Sequence, residues 1–194
     1  MADGQIARCC SAEMLKVLKM AANEYHFITE WHIPGEIQEV FEVIADDSSL
    51  RCWWPSVYLD VQQLKPGDER GIGKEIRLYT KGWLPYTLRW DFTVTESNPP
   101  TCFGLEARGD FEGRGFWNLE QHDDHVHVVY DWKILAEKPV LKYLSFVMKP
   151  IFAANHRWAM AKGEESLLLE LRRRRAKTDQ ERAAIPAPPP PTFR

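Results

Sequence analysis

The sequence predicts an α+β domain in which an antiparallel sheet packs against one long C-terminal helix. Between Val57 and Glu137, apolar and polar residues alternate in successive short runs, which is typical of strands with one buried face. From Val140 to about Arg175, apolar residues instead recur at helical spacing. Strands and helices that occur in separate blocks favour an α+β architecture over alternating βαβ units.

The long helix requires a large apolar surface to cover it. At 3.6 residues per turn, its predicted apolar face consists of Leu144, Val147, Met148, Ile151, Phe152, Trp158, Ala159 and Leu169. The preceding strands could supply the matching surface. Pro150 has no amide donor, so we expect a kink there. A helix laid on a curved sheet leaves a volume between them, and the content of that volume is the functional question.

The chain before the strands contains three short elements and an extension. Residues 1–22 form an N-terminal extension, for which a short amphipathic helix is predicted. Glu24 to Ile33 is a predicted strand. Glu36 to Ala45 has one apolar helical face, and Leu50 to Trp54 is a second short helix that Pro55 ends. One strand and two short helices therefore precede the run of strands.

Six strands are predicted after these helices, separated by turns rich in Gly, Pro and Asp. The clearest is Leu84 to Thr95, in which large apolar residues and polar residues alternate strictly. The others are Val57–Leu64, Lys74–Thr80, Thr101–Arg108, Phe111–Glu120 and Val126–Leu135. Strict alternation means that one face is buried and the other is hydrated.

Composition limits the class of protein. The chain has 194 residues, of which 44% are hydrophobic and 27% charged, as expected for one globular domain with tails. A net charge of −3 gives no general attraction to nucleic acid. No apolar run approaches the roughly 20 residues that cross a bilayer, and no secretion signal is recognisable. These features favour the cytoplasm. The four cysteines follow neither a disulfide framework nor a zinc spacing, so reduced thiols are expected.

The C-terminal segment is basic and then rich in proline. Residues 176–194 have little to bury and are predicted to be a disordered or polyproline tail. The basic run Arg172 to Arg175 could bind a phosphate-rich partner. We favour the alternative that these cations stabilise the C-terminus of the long helix.

The order of elements resembles that of the SRPBCC superfamily, whose START-like and polyketide cyclase-like members have the helix-grip fold. Local resemblances are Trp54-Pro55, Gly71-Ile72-Gly73, Pro99-Pro100, the stretch 113–117 and the helical stretch 155–158. The resemblance covers about residues 24–172. It implies a ligand-binding domain at 23–175, with a seven-stranded antiparallel sheet around the long C-terminal helix and an apolar cavity between them. Members of this superfamily bind lipids, sterols, polyketides and other hydrophobic small molecules.

The strands themselves are consistent with such a cavity. Large rings fall on their inward faces, and Gly113 and Gly115 fall in the same phase, where missing side chains could leave room for a ligand. The candidate ligand-binding residues are Tyr86, Leu88, Trp90, Phe103, Trp117, Tyr130, Trp132, Met148, Phe152, Asn155 and Trp158. The alternative is a dry core in which the glycines only bend the sheet. Asn155 needs a partner if it is buried; alternatively, Pro150 shifts the helical phase and Asn155 faces solvent.

The sequence identifies no catalytic residue and no cofactor. It contains no nucleophile elbow, phosphate-binding loop or dinucleotide fingerprint. His125 and His127 share one face of a strand and, with His122 or an adjacent aspartate, could hold a metal ion. Because Val126 and Val128 occupy the inward positions, a polar hairpin is the favoured interpretation, and no metal is predicted.

These patterns leave three candidate functions. The favoured one is binding or transport of a hydrophobic small molecule, such as a lipid, polyketide or aromatic compound. The first alternative is a polyketide cyclase-like or dehydratase-like enzyme that uses the same cavity. The second is a protein-interaction module that uses the outer sheet face, the basic run or the proline-rich tail.

Overall fold

A computed structural model describes residues 23–192, apart from the side chains of residues 140–142, 145 and 146. The predicted extension at residues 1–22 therefore lies outside the described residues. The elements are β1 (Glu24–Pro34), α1 (Ile37–Ile44), a 3₁₀ turn (Asp47–Ser49), α2 (Leu50–Trp53), β2 (Tyr58–Lys65), β3 (Glu75–Lys81), β4 (Thr87–Asn98), β5 (Cys102–Gly109), β6 (Phe111–Gln121), β7 (His125–Ala136), α3 (Pro139–Arg175) and α4 (Asp179–Ala183). Within the described range, none of the helices has both the length and the apolar character needed to cross a bilayer.

The seven strands form one antiparallel sheet in the order β1-β7-β6-β5-β4-β3-β2. Strands β2 to β7 follow one another as hairpins, and β1 forms the opposite edge of the sheet by pairing with β7. The pairing of β1 with β7 runs from Glu24 opposite Leu135 to Pro34 opposite His125. The predicted α+β class and seven-stranded helix-grip architecture are confirmed.

Strand β2 is an irregular edge. Its pairing with β3 shifts register between Tyr58 and Asp60, and again between Gln63 and Lys65. Its second half, from Gln62 to Lys65, is exposed. Only its beginning therefore contributes to the interior.

The inner face of the sheet carries the core, as the alternation predicts. In β4, Leu88, Trp90, Phe92 and Val94 are buried, while the residues between them are more exposed. Helix α1 covers part of this face with its apolar side, which includes Val40 and Phe41. The structure also assigns the faces of β1, which the sequence left open. Trp31 and Ile33 point inward, whereas His26, Glu30 and His32 are exposed.

The predicted apolar face of the long helix is wrong over its first half. Leu144, Val147 and Ile151 are exposed, with Val147 at 74%. Contact with the core comes instead from residues farther along, including Leu167 and Leu171. A 37-residue helix is about 55 Å long, whereas a 12-residue strand spans about 40 Å, so the sheet cannot cover all of α3. The helix continues through Pro150.

A short helix, α4, lies within the segment 176–194 for which the sequence predicts a disordered or polyproline tail. Thr178 Oγ1 accepts a hydrogen bond from the Glu181 amide (3.1 Å), and the Glu181 carboxylate accepts one from the Thr178 amide (3.3 Å). This reciprocal capping box is a recognisable start signal for a helix, and it is visible in the sequence as Thr178 followed three residues later by Glu181. Farther on, Thr192 Oγ1 lies 3.3 Å from the Gly82 carbonyl oxygen.

The basic run contacts the domain itself. Arg175 Nε donates to a Glu39 carboxylate oxygen at 2.9 Å, and Arg175 Nη2 donates to the Pro34 carbonyl at 2.8 Å. Arg174 Nε donates to Glu170 at 3.0 Å. These contacts agree with a structural role at the end of α3.

Candidate functional site

A pocket of about 130 Å³ lies between α3 and the inner face of the sheet; we refer to this pocket as the first cavity. Helix α3 contributes Phe152, Asn155, His156, Ala159 and Met160 to its wall. Most of the remaining wall is aromatic and aliphatic, and its larger members include Tyr25, Phe27, Trp54, Tyr58, Tyr86, Leu88, Trp90, Phe111, Tyr130 and Trp132. The space is therefore apolar, with a small number of polar groups around it.

A second cavity, of about 170 Å³, lies between α1, α2 and the sheet. Its lining includes Phe41, Trp53, Phe92, Phe103 and Trp117. Five side chains line both cavities and therefore stand between them: Trp54, Tyr58, Trp90, Tyr130 and Met160. Two charged residues of the second cavity, Asp47 and Lys74, form an ion pair with each other.

The glycines of β6 do not form these cavities, contrary to the sequence-based expectation. A methyl group added at Gly115 would lie 2.7 Å from Tyr130 Oη and 2.8 Å from the Trp132 ring, so those rings already fill the space. A methyl group at Gly113 would collide with the Lys133 carbonyl on β7. Both glycines allow close packing within the sheet.

Aromatic rings form a stacked row on the inner face. The Trp117 and Tyr130 centroids are 4.1 Å apart, and those of Tyr130 and Trp132 are 5.6 Å apart, with nearly parallel planes in both pairs. Trp90 lies 5.7 Å from Trp132. Such contacts hold the rings in place. The rings pack against one another along the sheet, and the free volume lies beside them, next to the helices.

Asn155 is buried and finds its partners within the protein. Its Oδ1 accepts hydrogen bonds from the amides of Trp83 (2.8 Å) and Leu84 (3.1 Å), and its Nδ2 donates to the Tyr86 hydroxyl (3.4 Å). The alternative in which Asn155 faces solvent is thus wrong. These bonds hold the β3–β4 loop against α3, which explains why β4 begins at Thr87 and not at Leu84. Gly82 allows this contact, because a methyl group there would collide with the Asn155 amide.

His156 lines the first cavity and is absent from the candidate residues predicted from the sequence. Its ring stacks on Phe27 with centroids 4.1 Å apart, and its buried Nε2 has no hydrogen-bond partner in the part of the chain that the structure describes. Burial, helped by the nearby charge of Arg157, lowers the pKa of His156 to about 4, so the ring is neutral at pH 7. The sequence does indicate that His156 faces the sheet together with Phe152, because residues four positions apart lie on the same side of a helix.

The other polar groups around the first cavity are mostly hydroxyls. Burial raises the pKa of Tyr86 to about 12, and it also raises the pKa of Tyr58 and of Tyr130, so all three phenols stay protonated. Burial lowers the pKa of Lys81, although its interaction with Tyr79 opposes this. Among the residues that the structure describes, no carboxylate lines this cavity.

The structure brings most of the candidate residues together, but not all of them. The first cavity is lined by Tyr86, Leu88, Trp90, Tyr130, Trp132, Phe152 and Asn155. Phe103 and Trp117 line the second cavity. Met148 and Trp158 line neither; Met148 is half-buried, and Trp158 packs against the core from its edge. The helical wheel could not locate the part of α3 that meets the sheet.

Comparison with protein-family profiles and with curated protein sequences gives no match. Several solved structures do match. The Zhui aromatase/cyclase from a Streptomyces species aligns with a TM-score of 0.63 and 16% identity, over 79% of this chain and 97% of that one. A protein from Thermus thermophilus aligns with a TM-score of 0.61 and 16% identity, over 75% of this chain and 99% of that one.

A third match is the di-domain ARO/CYC BexL, with a TM-score of 0.56 and 11% identity, over 79% of this chain and 53% of that larger one. Identities this low establish a common fold and carry no residue-level chemistry. The resemblance to polyketide cyclase-like proteins is thus confirmed at the level of the helix-grip fold.

Proposed function

We propose that this protein binds a hydrophobic, ring-containing small molecule in the first cavity. The observation that carries the proposal is the buried Nε2 of His156, which has no hydrogen-bond partner among the described residues and belongs to a wall that is mostly apolar and aromatic. A buried polar group without a hydrogen bond costs about 1–3 kcal/mol. A ligand with one hydroxyl or carbonyl group would offset that cost, while its rings contact Phe27, Trp90 and Trp132.

Cavity size sets the class of ligand. An engineered apolar cavity of about 150 Å³ binds benzene, so the first cavity, at about 130 Å³, suits one substituted ring. A ligand with several rings requires the second cavity as well. Met160 stands between the two cavities, and its unbranched side chain can change rotamer more easily than the neighbouring rings. Rotation of Met160 would therefore admit a larger polycyclic compound.

The test compares two ligands that differ only in a hydroxyl group. Binding of 4-ethylphenol and of ethylbenzene is measured by calorimetry, after native mass spectrometry has identified any molecule that copurifies. We expect 4-ethylphenol to bind more tightly, and His156→Phe to remove that preference. Ala159→Phe should fill the cavity and abolish binding of both compounds. Ala161→Phe, on the exposed side of the same helix, is the matched control. Absence of binding by both compounds, with no copurifying molecule, would refute the proposal.

A second candidate is a cyclase-like or dehydratase-like enzyme. His156 and the tyrosine hydroxyls favour it, and two proteins of the same fold carry the name aromatase/cyclase or ARO/CYC. A neutral imidazole can accept a proton from a substrate and return it later. The corresponding reaction is an intramolecular aldol condensation, in which a carbon–carbon bond forms and one water leaves.

The two candidates differ in a simple measurement. If the protein is an enzyme, a linear poly-β-ketone thioester incubated with it gives a cyclic product that is lighter by one water, and His156→Phe abolishes this conversion. If the protein is a carrier, the compound is recovered unchanged, although it protects the protein against thermal unfolding.

A further inference from the structure

Four of the six histidines lie together away from both cavities, three on the outer face of β1 and β7 and His122 in the β6–β7 turn. His32 and His127 are direct partners across the β1–β7 pair, and their rings are parallel with centroids 4.9 Å apart. His125 lies 5.5 Å from His32, and His122 lies 5.2 Å from His125. The sequence placed His125 and His127 on one face but could not show that β1 adds a third imidazole beside them.

A carboxylate completes the group. Glu30 lies on the same face of β1 as His32, and its Oε2 is 3.1 Å from His127 Nε2. One ligand atom from each of Glu30, His32 and His127 lies within 4.8 Å of the other two. Two of these residues are exposed and His127 is half-buried, so their side chains can rotate while the paired strands fix their backbones.

We propose that Glu30, His32 and His127 bind a divalent transition-metal ion of the Zn²⁺ class, with water or His125 in the fourth position. Two or three imidazoles with one carboxylate form a donor set that suits Zn²⁺, Cu²⁺ or Ni²⁺, whereas Mg²⁺ and Ca²⁺ prefer oxygen donors alone. Zinc requires ligand atoms about 2.0–2.2 Å from the ion. The three donor atoms already lie within 4.8 Å of one another, and binding requires the three side chains to close around a common point.

The position of the site defines its effect. The ligands come from both strands of the β1–β7 pair, which joins the first strand to the last. Trp31 and Val128, adjacent to two of the ligands, point into the core from the opposite face. The ion would therefore hold the end of β1 against β7 without reaching the first cavity, so metal binding should stabilise the fold and leave binding of small molecules unchanged.

The test uses the full chain without a histidine tag, after treatment with a chelator. Calorimetry with ZnCl₂ is expected to give one ion per chain, and a concentration 100 times the Kd should raise the Tm by about 5–10 °C. MgCl₂ should have no effect. Since even outer-sphere partners of a metal contribute 10- to 100-fold to affinity, His32→Gln and His127→Gln should each weaken binding at least about tenfold.

His26→Gln is the matched control, because His26 lies on the same exposed face of β1 and pairs with Asp131 outside the cluster. It should leave zinc affinity unchanged, and circular dichroism should show that all three variants fold. The proposal is overturned if zinc fails to bind with a defined stoichiometry. It is equally overturned if His26→Gln weakens binding as much as His127→Gln does.

Discussion

Replacement of Asn155 with alanine removes the acceptor that two backbone amides share in the β3–β4 loop. The Leu84 amide is buried there, and without Asn155 Oδ1 it has no partner, which costs about 1–3 kcal/mol. The Trp83 amide is only partly buried and can turn towards water, so loss of its hydrogen bond to Asn155 costs less. Together with the lost bond to Tyr86, these changes should lower the free energy of unfolding by about 2–4 kcal/mol.

The assay is equilibrium unfolding in urea, followed by tryptophan fluorescence and by circular dichroism. If only stability changes, the midpoint falls while the slope of the transition stays constant. Asn118→Ala is the matched control, because Asn118 is exposed on β6, and its loss should change stability by less than about 0.5 kcal/mol. Equal and small effects of the two substitutions would show that the loop does not depend on Asn155.

Three further predictions concern buried groups. Thr80→Val removes the acceptor of the Trp90 indole N–H, 3.1 Å away, and should lower unfolding free energy by about 1–3 kcal/mol in urea. Gly163→Ala should lower the Tm, because its methyl group would collide with the Trp54 ring and force repacking that costs about 1–3 kcal/mol. The pKa of His156 falls to about 4 on folding, so the unfolded chain binds more protons and stability is lost as pH falls from about 6.5 to 4. Between pH 7 and pH 4.5 the wild type should lose on the order of 2–3 kcal/mol more unfolding free energy than His156→Phe, because the variant lacks the buried imidazole. Urea unfolding of both proteins at the two pH values measures this difference.

Each of these predictions has a clear contrary outcome. Thr93→Val, between the inward positions of β4, is the control for Thr80→Val, and equal effects would contradict the role assigned to the indole bond. A raised Tm for Gly163→Ala would mean that helix propensity outweighs the contact with Trp54. Parallel pH profiles of the wild type and His156→Phe would show that His156 is solvated.

Periodicity predicted the fold because it reports burial directly. The alternation from Leu88 to Val94 identified the buried face of β4. The helical spacing of Ile37, Val40, Phe41 and Ile44 identified the apolar face of α1. The same logic failed for Val147, because an apolar stripe states what could be buried and not which part of a 37-residue helix meets the sheet.

The site was less accessible to sequence reasoning, because it depends on contacts between distant residues. Asn155 was identified, but its partners are some seventy positions earlier in the chain, at Trp83 and Leu84. The partnership of Glu30 with His127 likewise depends on the β1–β7 register, which no local pattern contains. His156 was missed for a different reason, because its four-residue spacing from Phe152 was visible in the sequence and was not used.

The irregular edge at β2 has a consequence for how the protein behaves at high concentration. An open sheet exposes unpaired amides and carbonyls along its outer strands, and a second chain can add to them as an extra strand. Two register shifts interrupt the regular ladder on β2, and its exposed end carries Gln62, Gln63 and Lys65. An added strand could not form a continuous ladder of hydrogen bonds along this edge, and it would have to desolvate the charge of Lys65. The β2 edge is therefore a poor template for fibril-like growth, although the sheet behind it is long and rich in aromatic residues.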